Sequence, residues 1–106
     1  MEITYENEHL EKLINNYGEL KKKYGEEIAY KLQKRLVEID SAPNLNVMKS
    51  GPPHFRHKLK GNRNSQYAID ITRKYKLIII PMDGDDKEAL STVTRIKIIE
   101  ISNHYE

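Results

Sequence analysis

The fold is decided by Lys76-Leu77-Ile78-Ile79-Ile80-Pro81, a short segment that is apolar after its first residue. A continuous apolar run of this length that ends at a proline predicts a strand covered on both faces, at the centre of a sheet. The run from Leu77 to Met82 is the longest apolar stretch of the chain and is far too short to cross a bilayer. The remaining elements are expected to assemble around this strand.

Segments on both sides of this run have the composition of further strands. Residues 67–72 alternate, with Tyr67, Ile69 and Ile71 on one face. Residues 94–102 are rich in isoleucine and predict a second strand that is apolar on both faces. Shorter strands are expected at 54–59 and at 2–5, with a polar turn at 60–65 and an acidic loop at 83–88.

The first part of the chain has helical periodicity instead. Asn7 can cap a helix, and Gly25 is expected to separate this helix from a second one that begins near Glu26 and ends before Pro43. The apolar stripe of the first helix is Leu10, Leu13, Ile14 and Tyr17, and that of the second is Ile28, Leu32, Leu36 and Ile39.

These elements predict an α+β fold. Two N-terminal helices would pack on one face of a twisted, mainly antiparallel sheet of four to five strands. A chain of 106 residues has room for one hydrophobic core, so residues 1–106 are expected to form a single domain.

The composition excludes several classes of protein. The chain has no cysteine, which excludes disulfides, thiolate metal sites and cysteine nucleophiles. The first residues are acidic and lack the apolar segment of a signal peptide, so we expect a cytoplasmic protein that does not bind a membrane. Four histidines are present, but His54 and His57 would point to opposite faces of a strand, which disfavours a metal site.

Charge is distributed very unevenly around a net value of +2. Residues 49–76 contain eight lysines and arginines against one acid, Asp70, whereas residues 1–16 and 83–88 are acidic. Such a field predicts a polyanion or an acidic protein as partner, and a solvated charged face is the simpler alternative. The candidate RNA-binding cations are Arg56, Lys58, Lys60, Arg63, Arg73 and Lys74.

The basic segment also holds the residue types that RNA cleavage requires. RNA supplies its own nucleophile, the 2′-hydroxyl, so a ribonuclease without a metal must orient that group, stabilise phosphoryl charge and transfer protons. His57 and Lys76 lie in the basic segment, and His104 and Tyr105 follow the last strand. Aromatic residues such as Phe55 and Tyr67 can stack on a base, although packing in the core is the more common role of an aromatic.

Three segments in this order resemble one branch of a known superfamily. They are residues 57–63 (HKLKGNR), 66–71 (QYAIDI) and 75–78 (YKLI), followed by a closing isoleucine-rich strand and a His-Tyr pair. This arrangement resembles the HigB-like branch of the RelE/ParE toxin superfamily, over roughly residues 26–106.

The resemblance implies a RelE-like microbial ribonuclease fold and a toxin of a type II toxin–antitoxin system. Such a toxin cleaves mRNA on translating ribosomes without cofactor or metal, and a helix-turn-helix, HigA-like antitoxin neutralises it. The resemblance places His57 at the histidine that precedes the leucine-lysine-glycine turn, and Lys76 where many members have arginine. The C-terminal run is Asn103-His104-Tyr105, where the branch has aspartate-tyrosine-histidine.

Two other functions are compatible with the same sequence. The superfamily also contains ParE-type toxins, which bind and inhibit DNA gyrase without cleaving RNA. A basic face could also bind RNA or an acidic antitoxin and perform no chemistry. The basic strands and the C-terminal imidazole favour the endoribonuclease, with His57, His104, Tyr105 and Lys76 as catalytic residues.

Overall fold

In a computed structural model, which describes residues 1–63 and 65–103, a mixed sheet carries its helices on one face. The five strands of the described residues lie in the order β1-β5-β4-β3-β2, so the predicted apolar run forms the central strand, β4. The strands are β1 (Glu2–Tyr5), β2 (His57–Lys58), β3 (Tyr67–Asp70), β4 (Lys76–Pro81) and β5 (Arg95–Ser102), and the helices are α1 (Glu8–Ile14), α2 (Tyr17–Tyr24) and α3 (Glu26–Ser41).

The predicted mainly antiparallel α+β architecture is confirmed. Strands β2 to β5 form an antiparallel meander, and only β1 pairs in parallel, with β5. The alternation of side chains sends Ile69, Leu77 and Ile79 into the main core beneath the helices. A smaller cluster on the opposite face contains Leu59, Ala68, Ile78 and Ile99.

The structure has three helices in its described part where two were predicted. The extra break lies at Asn15–Asn16, before Gly18. Asn16 has an extended backbone, and its side-chain oxygen accepts a hydrogen bond from the backbone N–H of Glu19 at 3.1 Å, which makes it the N-cap of α2. Gly25 separates α2 from α3 as expected, and its φ of 91° suits a residue without a Cβ.

Strand β2 is much shorter than the predicted strand at 54–59. Phe55 has a φ of 46°, in the left-handed region, which is incompatible with a strand. The N–H of Phe55 donates to the carbonyl of Gly51 at 2.9 Å, so a turn replaces the first half of the expected strand. The chain therefore enters the sheet only at His57.

Candidate active site

Strand register gathers three polar side chains on the face of the sheet that the helices leave uncovered. His57 pairs with Ala68, and Asp70 pairs with Lys76. Directly paired residues point to the same side, and Ala68 belongs to the small cluster on the uncovered face. His57, Asp70 and Lys76 therefore share that face, although they are distant in sequence.

These side chains line an open cleft of about 620 Å³. Of the lining residues, Phe55 comes from the turn before β2 and His57 from the start of β2. The cleft thus combines an aromatic ring, an imidazole, a carboxylate and two cations; its lining residues are Phe55, His57, Asp70, Arg73 and Lys76.

Lys76, which lines this cleft, is held by other groups of the protein. Its Nζ lies 2.6 Å from Oδ1 of Asp70, and both side chains are nearly buried. The same ammonium group donates to the carbonyl of Arg73 at 2.8 Å. Its charge is therefore matched inside the protein, and its donors order the turn between β3 and β4.

His57 has one engaged and one unengaged ring nitrogen. Its Nδ1 lies 3.3 Å from the carbonyl oxygen of Phe55, whereas its Nε2 is buried and has no hydrogen-bond partner among the described residues. A neutral ring that donates from Nδ1 leaves a lone pair on Nε2. Oδ1 of Asn44 and Nε2 of His54 are likewise buried without a hydrogen-bond partner among the described residues, but of these three side chains His57 is the one that lines the cleft.

Arg73 is the exposed cation of the cleft. It makes no ion pair with any residue in the described ranges, in contrast to Lys76. A guanidinium presents five donors in a planar fork, which matches the geometry of a phosphate group. Of the two cations lining the cleft, Arg73 is thus the one that can receive an anion without breaking an internal ion pair.

Three of the predicted RNA-binding cations are engaged elsewhere. Arg56 donates to the carbonyls of Leu45 and Met48, at 3.3 and 2.7 Å, and thereby holds a neighbouring loop. Nζ of Lys58 lies 3.9 Å from a carboxylate oxygen of Asp86, beyond the edge of the cleft. Arg63 lies 2.7 Å from Glu100, which is 37 residues away in sequence.

The remaining predicted site residues are Lys60, Lys74, His104 and Tyr105. Lys60 and Lys74 are exposed and form no ion pair within residues 1–63 and 65–103. His104 and Tyr105 lie outside the described residues. Ser102, which precedes them by two and three positions, pairs with Lys76 across β4 and β5. Strand β5 therefore ends beside the cleft.

Arg35, which the sequence analysis did not identify, holds two segments that carry cleft residues. Arg35 on α3 donates from Nε to the carbonyl of Asp70 at 2.7 Å, and from Nη2 to the carbonyl of Pro53 at 3.1 Å. Its Nη1 lies 2.6 Å from Glu38 on the same helix. Arg35 therefore fixes the turn before Phe55 and the end of β3 to one helix. Its burial depends on distant contacts, which left no local signal in the sequence.

His54 does not line the cleft and, like Arg35, holds neighbouring segments in place. It is 8% exposed, and its Nδ1 accepts a hydrogen bond from the N–H of Lys49 at 3.1 Å. Its carbonyl accepts from the N–H of Asp70 at 2.8 Å, next to the bond that Arg35 makes. The basic stretch thus begins with a structural histidine.

The aromatic residues near the basic strands differ in burial: some pack inside the protein, and one is exposed at the cleft. Tyr67 is buried in the core, and its hydroxyl lies 3.2 Å from Oδ2 of Asp86. Burial, followed by the charge of Asp86, raises the pKa of Tyr67 above its usual value, so it stays protonated at neutral pH. Tyr75 packs edge-on against Tyr24. Phe55, by contrast, is 45% exposed at the cleft.

Neither a metal centre nor a membrane span is found in the part of the chain that the structure describes. No group of three or more histidine, aspartate or glutamate side chains there is arranged to hold a metal ion. No helix among the same residues is both long and apolar enough to cross a bilayer.

The chain has the fold of bacterial toxins. The YoeB/ParE toxin from Agrobacterium tumefaciens superimposes with a TM-score of 0.60 at 14% identity, over 99% of this chain and 100% of that one. A YoeB–YefM complex and a YoeB dimer, both from Staphylococcus aureus, give TM-scores of 0.57 at 22% and 23% identity, over 99% of this chain and 98% of theirs.

At 14–23% identity these neighbours show a shared fold, which is the fold that the resemblance in the sequence implied. They are named YoeB and ParE, so the HigB-like branch stays an expectation from the sequence. No protein-family model and no curated protein matches the chain.

Proposed function

We propose that this protein is the toxin of a type II toxin–antitoxin system and that it cleaves mRNA on translating ribosomes without a metal. The observation that carries this proposal is the unpartnered Nε2 of His57, in a cleft that also holds the free guanidinium of Arg73. The shared fold with YoeB/ParE toxins supports the toxin role.

The cleft supports a specific path for the reaction. The ring of His57 turns so that its Nε2, which is buried in the free protein, meets the substrate and accepts the proton of the 2′-hydroxyl while the 2′-oxygen attacks the adjacent phosphorus. Arg73 stabilises the negative charge that develops on the phosphoryl oxygens. The bond from phosphorus to the 5′-oxygen breaks, a 2′,3′-cyclic phosphate forms, and a second acid protonates the leaving oxygen.

His104 or Tyr105 is proposed as that second acid. Both follow Ser102, whose pairing with Lys76 brings the end of β5 to the cleft. Lys76 is assigned a positioning role, because its ion pair with Asp70 and its bond to the carbonyl of Arg73 fix the turn that carries Arg73. Lys60 and Lys74 would contact the RNA backbone outside the cleft.

A protein antitoxin is the proposed second partner, in addition to mRNA on the ribosome. One of the structural neighbours is a complex of YoeB with YefM. The sequence resemblance suggests a helix-turn-helix antitoxin. A small reading frame that encodes such a protein next to this one would support the assignment.

Cleavage can be tested with purified protein, translating ribosomes and mRNA, with the cut sites mapped by primer extension. We expect cleavage products that end in a 2′,3′-cyclic phosphate. The double variant His57→Ala with His104→Ala should abolish cutting. His9→Ala, an exposed histidine on α1, is the matched control and should cut at the normal rate. Full activity in the double variant would refute the site assignment.

Gyrase inhibition is the second candidate function, because one structural neighbour is named a YoeB/ParE toxin. A supercoiling assay with purified gyrase separates the two proposals. Inhibition of supercoiling without any RNA cleavage would replace the endoribonuclease by a gyrase-directed toxin. RNA binding without either activity would leave a non-catalytic binding module, which is compatible with the neutralised charge of Lys76.

A further inference from the structure

One aromatic side chain differs from the other large apolar residues on the surface. Exposed apolar side chains are normal on a protein surface, and the large ones here are Tyr30, Val37, Val47, Met82 and Phe55. Phe55 alone among them lines the cleft of His57 and Arg73. It is also the one non-glycine residue with a positive φ in the described part of the chain.

The positive φ of Phe55 is energetically unfavourable, so its presence in the fold needs an explanation. A bulky residue in the left-handed region is a genuine outlier, and such outliers cluster at ligand-binding and active sites. Glycine or asparagine would adopt this φ more easily. Two hydrogen bonds nevertheless hold Phe55 in this conformation. Its N–H donates to the carbonyl of Gly51, and its carbonyl oxygen lies within hydrogen-bond distance of Nδ1 of His57.

The groups around the ring indicate what it binds. An aromatic surface beside a guanidinium and an imidazole suits a ligand that has both a flat ring and an adjacent anion. A nucleotide in single-stranded RNA meets both requirements, because its base can stack and its phosphate can bind the cation. Duplex RNA keeps its bases stacked on each other and would not offer a free face to Phe55.

We propose that Phe55 is the stacking platform for an unpaired base next to the phosphate that Arg73 binds. This inference rests on the proposed RNA-binding role of the cleft, and it adds the element that selects an unstacked nucleotide. The ring contacts substrate without transferring a proton. Phe55 is therefore a binding and specificity residue, and His57 remains the proton acceptor.

The absence of tryptophan from the chain allows a direct test. Phe55→Trp places a single fluorescent indole at the proposed platform and keeps an aromatic ring there. A base that stacks on the indole quenches its fluorescence. Met82→Trp is the matched control, since Met82 is similarly exposed (49% against 45%) but does not line the cleft.

Each tryptophan variant is titrated with a single-stranded RNA oligonucleotide, with the matching duplex and with inorganic polyphosphate. We expect quenching of Phe55→Trp by the single strand alone, and none of Met82→Trp. Phe55→Leu, which keeps apolar volume but removes the ring, should bind the single strand about 5- to 150-fold more weakly, from the typical contribution of one stacked base. Circular dichroism confirms that each variant is folded.

The outcomes separate this inference from the proposed function. Quenching of Phe55→Trp without RNA cleavage on ribosomes would refute the endoribonuclease and leave the platform standing. Normal cleavage by Phe55→Leu, with no quenching of Phe55→Trp by bound RNA, would refute the platform and leave the endoribonuclease standing. Equal quenching of both tryptophan variants, or no binding of RNA at all, would also overturn the platform.

Discussion

Lys76 and Asp70 occupy directly paired positions of β4 and β3, and their charged groups lie 2.6 Å apart with little exposure to solvent. This pair contributes one positive and one negative charge to the lining of a cleft whose other cation, Arg73, has no such partner in the described residues. The cleft thus distinguishes a structural cation from a cation that can bind ligand.

Breaking this pair is expected to destabilise the fold. Lys76→Met leaves the carboxylate of Asp70 nearly buried and unpaired, which should lower the free energy of unfolding by about 3–5 kcal/mol. The double variant Lys76→Met with Asp70→Asn removes both charges and should lose clearly less than the two single variants combined. Urea denaturation of the four proteins measures this coupling. Strict additivity would show that the two charges do not interact.

Arg35 should act as the support of the cleft. Arg35→Met removes the part-buried bond to the carbonyl of Asp70 and the exposed bond to the carbonyl of Pro53, and should cost about 1–3 kcal/mol because both carbonyls lose a charged donor. Lysine at this position cannot bridge both carbonyls as a fork, so Arg35→Lys should restore little. The neighbouring exposed Lys34, changed to methionine, is the control. Urea midpoints that are equal for Arg35→Met and Lys34→Met would contradict this role.

The two kinds of cation should respond differently to mutation. Arg73→Ala should weaken the binding of single-stranded RNA and lower the slope of log affinity against log salt by about 0.7, the value for one phosphate contact. Arg56→Ala should instead lower stability, because Arg56 holds the carbonyls of Leu45 and Met48. Binding isotherms at several salt concentrations, together with urea midpoints, test both statements. An unchanged salt slope for Arg73→Ala would remove Arg73 from the interface.

Asp83 should contribute to stability in a pH-dependent way. A hydrogen bond from the Thr94 hydroxyl, aided by the backbone N–H groups of Thr94 and Arg95, lowers the pKa of Asp83 below its usual value. A lowered pKa means that the contribution is complete above about pH 4, the ordinary value in the unfolded chain, and is lost as the pH falls through the folded value.

The test compares urea midpoints of the natural protein and Asp83→Asn between pH 7 and pH 2. The difference should be constant down to about pH 4 and then shrink. Asp40→Asn, at an exposed position of α3, controls for the loss of one negative charge. A difference that grows on acidification would contradict the assignment.

The sequence predicted the sheet well because its strands are determined by local apolar patterns. The run 76–81 forms β4 with the predicted bounds, and residues 2–5 form β1. The break at Asn16 was missed because Tyr17 continues the apolar stripe of α1, so periodicity hides the cap. The expected strand at 54–59 failed at Phe55, where the alternating pattern is compatible with a strand but the backbone is left-handed.

The candidate site was harder to predict than the sheet. The excess of cations in residues 49–76 is visible in the sequence, but their partners are not. Lys58 lies near Asp86, and Arg63 contacts Glu100, across large separations along the chain. Asp70, the one acid in the basic segment, was a signal that could have indicated an ion pair with a nearby cation.

The left-handed backbone of Phe55 also has a consequence for protein engineering. Phe55→Gly would remove the backbone strain at a position whose side chain is already half in solvent, and the variant should unfold no more readily than the natural chain. A procedure that selects for thermal resistance alone would therefore favour replacement of this phenylalanine. If Phe55 is kept in a variant selected for both stability and activity, we expect the reason to be ligand recognition and not thermal stability.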